Sequence, residues 1–300
     1  MTKVSAVIVI KDNPPHLEEC LSSISSLADE IILGCIQVED SLKKSLSNNR
    51  KIKLIELPPD IPFADMVKED LKKKASGTHI LYIDPDELFP QKAVEIIKDK
   101  LDLYDYFIFP RKNIMFGKWI NHSRWWPDPQ IRFFKKETVI WPAHIHPQPI
   151  VEGKAYTFET KEEFSLTHYN YDTLDQYLEK AVRYAKAEAT QIVSEGKTLE
   201  LKETINKALS EFISRFFAGE GYKHGTLAFV LAFLQMMYYF IVYSYYLELK
   251  KFPHVPAENI AQTSRGFFSQ GLRETNFWLL KFNLISGIEK IKIRIINKLT

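Results

Sequence analysis

Cysteine, net charge and low-complexity sequence are all scarce in this 300-residue chain. Its two cysteines, Cys20 and Cys35, stand in apolar surroundings without metal-ligand spacing, and are expected to be core thiols of a reducing compartment. The formal net charge is +2, which argues against a protein built around nucleic acid. A secretory leader is not expected. The first apolar run, residues 4–10, follows a single Lys and lacks a small-residue cleavage site. No internal repeat is visible. The segment after that run, Lys11-Asp12-Asn13-Pro14-Pro15, is not the glycine-rich phosphate loop that a nucleotidyl- or phosphotransferase on an α/β sheet needs.

What is present is globular in texture: 45% apolar and 26% charged residues, in a chain long enough for one large domain or two small ones. The first hundred residues alternate between strand and helix signals. Residues 4–10 are continuously apolar and β-branched, as in a strand buried on both faces. Leu17, Cys20, Leu21, Ile24 and Leu27 follow at helical spacing. Short strands are predicted at 30–33 and 52–57. Phe63, Met66, Val67 and Leu71 mark a second helix, with a solvated Lys72-Lys73-Lys74 end and Gly77 as its stop. A third buried strand, 79–83, runs into Asp84-Pro85-Asp86-Glu87, and a helix follows at 91–100. This order predicts an α/β fold with an open, mostly parallel sheet, helices on both faces and a ligand site beyond the carboxyl ends of the strands.

Residues 104–171 are rich in aromatics, Pro and His, and read as short strands and functional loops of the same domain. From 173 onward the pattern is helical. Leu174, Tyr177, Leu178, Ala181, Tyr184 and Ala185 form a stripe, and another helix spans 199–217. An uncharged stretch covers 226–247, Pro253 and Pro256 interrupt, and a last helix is predicted from 276 to the end. The predicted domains are therefore 1–172 and 173–300.

Asp84 and Asp86, two residues apart after a buried strand, suit a hard divalent cation such as Mg²⁺ or Mn²⁺. Such an ion neutralises charge that builds on a departing diphosphate. An acidic surface turn is the plain alternative, against which stand the strand before, the helix after and Glu87 beside the pair.

Residues Val4-Ser5-Ala6-Val7-Ile8-Val9-Ile10-Lys11-Asp12-Asn13, the run His16 to Leu21, the run Ala28 to Ile32, and Gly77-Thr78-His79-Ile80-Leu81-Tyr82-Ile83-Asp84-Pro85-Asp86-Glu87 together resemble the family-2 inverting glycosyltransferases of the GT-A fold. Trp126-Pro127-Asp128-Pro129-Gln130-Ile131-Arg132-Phe133-Phe134, His146, His168 and Gly219-Glu220-Gly221-Tyr222-Lys223-His224-Gly225 are similar to the branch that builds lipopolysaccharide core and related cell-surface glycans. The resemblance implies a GT-A catalytic domain and a nucleotide-sugar donor, with UDP as the expected nucleotide. It implies a metal on Asp84 and Asp86, with Asp84 also near the donor. Lys11, Asp12 and Asp40 would line the nucleotide cleft, and Asp128 would be the general base that takes the acceptor's proton. Arg132 would bind diphosphate bidentately or form a structural ion pair. His146 would be a third metal ligand or touch a phosphate, and His168 competes for that role. Trp119, Trp125, Trp126 and Trp141 could stack on sugar faces or sit in the core. Three departures stand out: the nucleoside turn reads Cys35-Ile36-Gln37-Val38-Glu39-Asp40, Lys68-Glu69 replaces an Arg-Asn pair, and Pro147 follows His146 where a Glu is usual.

The apolar segment 226–247 leaves no polar face wide enough for a solvent-exposed helix, so it is expected to be buried in protein, in a homo-oligomer interface or against lipid. Its tyrosines suit a headgroup layer. The tail 276–300 places Leu284, Ile288, Ile291, Ile295 and Leu299 among Lys290, Lys292, Arg294 and Lys298, the pattern of a basic amphipathic helix on anionic lipid. The expected protein is a membrane-associated inverting glycosyltransferase. It is peripheral or monotopic at the cytoplasmic face of the cell membrane, and acts on a glycolipid or lipid-carrier-linked acceptor. The rivals are an inactive scaffold that binds a membrane partner and a nucleotidyltransferase on a similar fold.

Overall fold

The computed structural model describes residues 2–61, 63–142 and 148–299, with side chains through 295. The chain divides into two units, 1–121 with 125–172, and 122–124 with 173–300. The first begins with β1 (Val4–Lys11), α1 (Leu17–Ile24), β2 (Glu30–Ile36), α2 (Asp40–Leu46), β3 (Ile52–Glu56), α3 (Asp65–Lys74) and β4 (His79–Tyr82). It continues through β5 (Glu87–Leu88), α4 (Gln91–Lys100), β6 (Tyr106–Phe109), β7 (Arg111–Met115) and β8 (Lys118–Trp119). It closes with β9 (Gln130–Lys135), β10 (Val139–Ile140), β11 (Ile150–Val151), β12 (Ala155–Thr157) and β13 (Leu166–Tyr171).

β1 is apolar at successive positions because both of its faces are covered. Ala6, Ile8 and Ile10 pack with Cys20, Ile24 and Leu33 on one side. Val7 and Val9 pack with Ile32, Leu71 and Tyr82 on the other, as the two-residue period of a strand requires. The central sheet is ordered β12-β6-β9-β4-β1-β2-β3. It is a mixed α/β architecture with a mostly parallel sheet, since β9 alone runs antiparallel to its neighbours β4 and β6. The chain leaves β1 toward β2 and β3 on one side, then returns to place β4 on the other. That reversal opens a crevice at the carboxyl ends of β1 and β4, the usual ligand position in such sheets. A second sheet, β5-β13-β7-β8, follows from the turn after β4.

Three local expectations change. Residues 40–46 form α2, which the sequence hides because apolar positions there are few. Gly77 does not stop α3, which ends at Lys74. It lies where a Cβ would come within 2.4 Å of Ser5 Oγ and 2.7 Å of the Lys3 carbonyl. Lys72 is buried, not solvated. Its ammonium reaches the Val139 carbonyl at 2.7 Å and Glu69 at 2.9 Å, tying α3 to β10. Cys20 and Cys35 are buried free thiols, as expected.

At the amino end of the sheet Glu30 accepts from Ser5 Oγ at 2.6 Å and from the Ser76 amide and hydroxyl at 2.5 and 2.7 Å. Burial pushes its carboxyl up, but these bonds and Lys3 prevail and hold it at about 2, below the ordinary 4.5. A depressed pKa contributes stability above the unfolded value that is lost as pH falls toward the folded one. Wild-type protein should therefore lose stability between pH 4.5 and about 2 partly through this clasp. Glu30→Gln should lower the melting temperature at pH 7 and flatten that acid limb. Thermal melts across the range check this.

In the second unit α5 (Leu174–Ser194) starts at a capping box in which Thr173 and Gln176 cap each other's backbone. It is followed by α6 (Leu201–Ile213), a π-turn at Ser214–Ala218, α7 (Thr226–Leu249), α8 (Ala257–Lys281) and α9 (Gly287–Leu299). α7 packs along α5 and α6. The buried face of α5 is Tyr177, Ala181, Ala185 and Ala189, while Leu174 and Leu178 are exposed. Gly219 and Gly221 lie where a Cβ would fall within 2.6 Å of the Ser123 Cα and 2.4 Å of the Arg215 carbonyl. Among the described residues α7 is the one helix long and apolar enough to cross a membrane, with mean hydropathy 1.8. Gln235 nonetheless donates to the Tyr177 hydroxyl at 2.9 Å, and the Tyr238 hydroxyl donates to Glu188 at 2.6 Å. The final helix is not continuous from 276. α8 starts at Ala257 and ends where Asn283 turns left-handed (φ 59°), the Leu284 amide closing back on the Leu279 carbonyl at 3.0 Å.

Candidate active site

The apolar strand β4 ends against the core and delivers Asp84, Asp86 and Glu87 into a turn closed by its own backbone. The Glu87 amide donates to the Asp84 carbonyl at 3.0 Å, and the Asp84 amide donates to Glu87 Oε2 at 3.2 Å. Three carboxylates so close repel, and three cations from other elements answer them. Arg132 on β9 turns its fork to Glu87, with Nε at 2.8 Å and Nη2 at 2.7 Å, and Nη2 also reaches Asp84 Oδ2 at 3.1 Å. Lys68 on α3, with a side chain only 6% exposed, sits between Asp65 at 2.9 Å and Asp84 Oδ1 at 3.1 Å. Arg111 on β7 links Glu87 at 3.2 Å to Asp128 Oδ2 at 2.7 Å.

This neutralisation sets the protonation states. Burial raises the pKa of Asp84, but Lys68 and then Arg132 outweigh it and hold the carboxyl well below the usual range. Burial likewise works against ionised Glu87, and Arg132 overcomes it despite the nearby Asp84. For Lys68 burial favours the neutral amine, yet Asp84 and Asp65 raise its pKa and keep the ammonium. Arg132 is raised by Glu87 and Asp84 against the same burial penalty. A pair this buried gains little net stability, but leaving one member alone is costly.

Asp128 lies just before β9 in the left-handed region (φ 43°), a conformation that costs a non-glycine residue about 1–3 kcal/mol and is held by its surroundings. The Pro127 carbonyl accepts from the Arg111 amide at 2.8 Å. The carboxylate accepts from Arg111, from Asn113 Nδ2 at 2.9 Å and from Gln130 Nε2 at 3.0 Å. Burial pushes Asp128 up, but Arg111 first and Asn113 next lower it, so it is a carboxylate at neutral pH.

Register puts Glu87, Asn113 and His168 in one rank across β5, β7 and β13. His168 Nδ1 lies 2.7 Å from Asn113 Oδ1, and its Nε2 lies 3.6 Å from Asp86 Oδ2. Asp86 keeps 32% of its side chain exposed.

Asp84, Asp86, Arg132 and Asp128 thus join one network with Lys68, Glu87, Arg111, Asn113 and His168. Two roles shift. Both oxygens of Asp84 are taken by Lys68 and Arg132, so Asp84 is oriented by cations and does not share open ligand space with Asp86. Arg132 gives its bidentate face to Glu87, which makes it the structural ion pair and not a diphosphate fork. Lys11 and Asp12 are exposed at the carboxyl end of β1, Asp12 with φ 54°. Asp40 stands at the end of the turn that follows β2. It is the first residue of α2, fully exposed and 3.5 Å from Lys43. His146 lies outside the described residues. Trp125 and Trp141 are core residues, whereas Trp119 and Trp126 are half-exposed and meet edge to face at 5.2 Å. The partners that sequence reasoning missed had faint signals: the alternation Arg111-x-Asn113 on a polar strand, and Lys68 in an otherwise solvated-looking helix.

Among the described residues no group of three or more His, Cys, Asp or Glu is arranged to hold a metal. Asp86 and His168 offer two facing ligand atoms, which suits an ion that takes its other ligands from water and phosphate.

No protein-family model matches the chain. Among solved structures, S. aureus TarS is similar at 12% identity and TM-score 0.40, over 82% of this chain and 54% of that one. The chain therefore spans about half the length of that protein. A shorter form, TarS 1–349 in complex with UDP, is similar at 11% identity and TM-score 0.40, over 85% and 93%. The mannosyltransferase PcManGT from Pyrobaculum calidifontis, in complex with GDP-Man and Mn²⁺, is similar at 10% identity and TM-score 0.41, over 91% and 84%. These likenesses are slight, and the functional reading rests on the side chains.

Proposed function

We propose that this chain is an inverting glycosyltransferase of the GT-A type that uses a nucleotide-sugar donor. One observation carries the reading: an ionised Asp128 and a facing Asp86–His168 pair are joined through Asn113 in the network that ends β4 of an open parallel sheet. Asp128 accepts the proton of an acceptor hydroxyl as its oxygen attacks the anomeric carbon. The bond to the donor diphosphate breaks, and the electron pair leaves with the nucleoside diphosphate. Mg²⁺ or Mn²⁺ held by Asp86 and His168 would supply charge neutralisation for that leaving group. Lys11, exposed at the end of β1, adds a cation at the same edge of the sheet. Lys68 and Arg132 keep Asp84 ionised and fixed, so the turn carrying Asp86 holds its shape without the ion.

The acceptor is a glycolipid or lipid-linked glycan of the cell-surface type, met at the cytoplasmic membrane face. The support is the second unit. Ile288, Ile291 and Ile295 of α9 are 53–71% exposed, and Lys290, Lys292 and Arg294 are interspersed among them. That pattern fits an anionic surface. α7 is less suited to crossing the bilayer, because it is hydrogen-bonded through Gln235 and Tyr238 to the charged helix α5. Deleting residues 285–300 should weaken sedimentation with phosphatidylglycerol vesicles, and salt should weaken it in the full chain. A cut at 276 would test less cleanly, since Trp278 and Leu279 pack on Leu209, Ile213 and Phe217.

The test of the central reading is calorimetric binding of UDP-sugars with and without Mn²⁺, in the wild type and in Asp86→Ala. Binding that depends on Mn²⁺ and is lost in the variant, with thermal stability unchanged, is expected. Equal affinity in both proteins would remove the metal assignment, and no nucleotide binding at all would remove the transferase.

A further inference from the structure

The amide of Asn113, 1% exposed, has each of its atoms committed. Its nitrogen donates to Asp128 Oδ2 at 2.9 Å and to the Trp125 carbonyl at 2.8 Å. Two acceptors on one nitrogen fix the orientation of the group, because the flipped amide would set oxygen against both of them. The Asn113 oxygen is therefore the atom that meets His168 Nδ1 at 2.7 Å, and it can only accept. Nδ1 must carry the hydrogen. In a neutral imidazole Nε2 is then left with its lone pair, aimed at Asp86 Oδ2 at 3.6 Å. Two lone-pair atoms face each other there, close enough for one cation beside the line joining them to be reached by both. The other tautomer would donate Nε2–H to Asp86 and close that space.

We propose that Asn113 is a positioning residue that sets both working groups of the site at once, selecting the ligand tautomer of His168 and fixing one oxygen of Asp128. This rests on the transferase reading for the purpose of the arrangement, but the tautomer itself does not. Hydrogen bonding to the second imidazole nitrogen is the general way in which proteins orient a ligating histidine. Here the same amide also grips a carboxylate on the far side, so the two groups are held in a fixed relation by a residue that touches neither substrate nor metal. Its neighbours on the strand explain the arrangement. Arg111, two residues earlier on the same face, holds the same Asp128 oxygen and also Glu87.

The experiment begins with metal-free wild-type protein labelled with ¹⁵N. Long-range proton–nitrogen spectra of the neutral ring of His168 should show hydrogen on Nδ1 and a bare Nε2. A neutral ring with its hydrogen on Nε2 overturns the proposal without any variant. In Asn113→Leu the tautomer should invert, and Mn²⁺ affinity followed by paramagnetic resonance should fall about 10–100-fold. Unchanged tautomer and affinity there also overturn it. Asn113→Asp keeps an acceptor for Nδ1–H but sets a negative charge against Asp128. Mn²⁺ binding should be retained or tightened while sugar transfer falls at least about 10²-fold. Loss of Mn²⁺ binding with transfer intact would contradict the division of roles. A wild type that binds neither Mn²⁺ nor nucleotide defeats the transferase reading, whereas a wrong His168 tautomer defeats this one.

Discussion

Arg132→Met should lower unfolding free energy by about 3–5 kcal/mol, the cost of stranding a buried charge. The reason is Glu87, whose side chain is 0% exposed and whose two oxygens both meet Arg132. Methionine fills much of the space but supplies no donor. Among the described residues Arg111, at 3.2 Å, is the cation left on Glu87, and it is shared with Asp128. The sign of the pH dependence should also change locally. In the wild type the depressed pKa values of Asp84 and Glu87 contribute stability that is lost on acidification. In the variant burial would dominate and raise the pKa of Glu87, so that part of the lost stability returns as pH is lowered. Adding Glu87→Gln should recover much of the deficit at pH 7. Urea unfolding at pH 5 and pH 7 measures all three, and a variant within about 1 kcal/mol of wild type would show that the pair is not the clamp described.

Asp128→Asn should reduce turnover by about 10² or more with donor affinity nearly kept, as when a general base is removed and ground-state binding is not. The amide is nearly isosteric, but Arg111 would lose one of its two charged partners, so the fold should be checked in parallel by melting. Steady-state transfer with UDP-sugar and direct donor binding separate the two effects. Turnover near wild type would move the base elsewhere. His146 would then be the next residue to test.

Much of the fold was legible in the sequence because its signals are local. The unbroken apolar run of β1, the helical spacing around Cys20 and Ile24, and the helix 91–100 depend on residues near one another in the chain. α2 was not legible, since a seven-residue helix with Leu42 and Leu46 as its apolar positions has almost no period to read. The break after Lys281 was missed because it turns on one backbone angle at Asn283. The site was legible in its acidic residues and not in their partners. Asp84 and Asp86 announce themselves by spacing, but Lys68, Arg111, Asn113 and Arg132 take their meaning from which strand lies beside which. Arg132 shows the limit most clearly. Its position suggested a phosphate ligand, and only the register of β9 against β4 reveals that its fork belongs to Glu87.

The reversed direction of β9 also bears on how the protein is made. Glu87 is synthesised 45 residues before Arg132, and β9 inserts between β4 and β6, strands already emerged from the ribosome. Until that insertion Glu87 lacks Arg132, which meets both of its oxygens, so its burial is opposed. A nascent chain that stops short of residue 130 should therefore keep its amino-terminal sheet open along one edge. The ion pair acts as a late checkpoint: burial of the acidic turn reports that the middle strand has arrived. Ribosome-stalled chains of increasing length, extended past residue 135 until β9 clears the exit tunnel and probed by proteolysis between β4 and α4, would show protection appearing in one step.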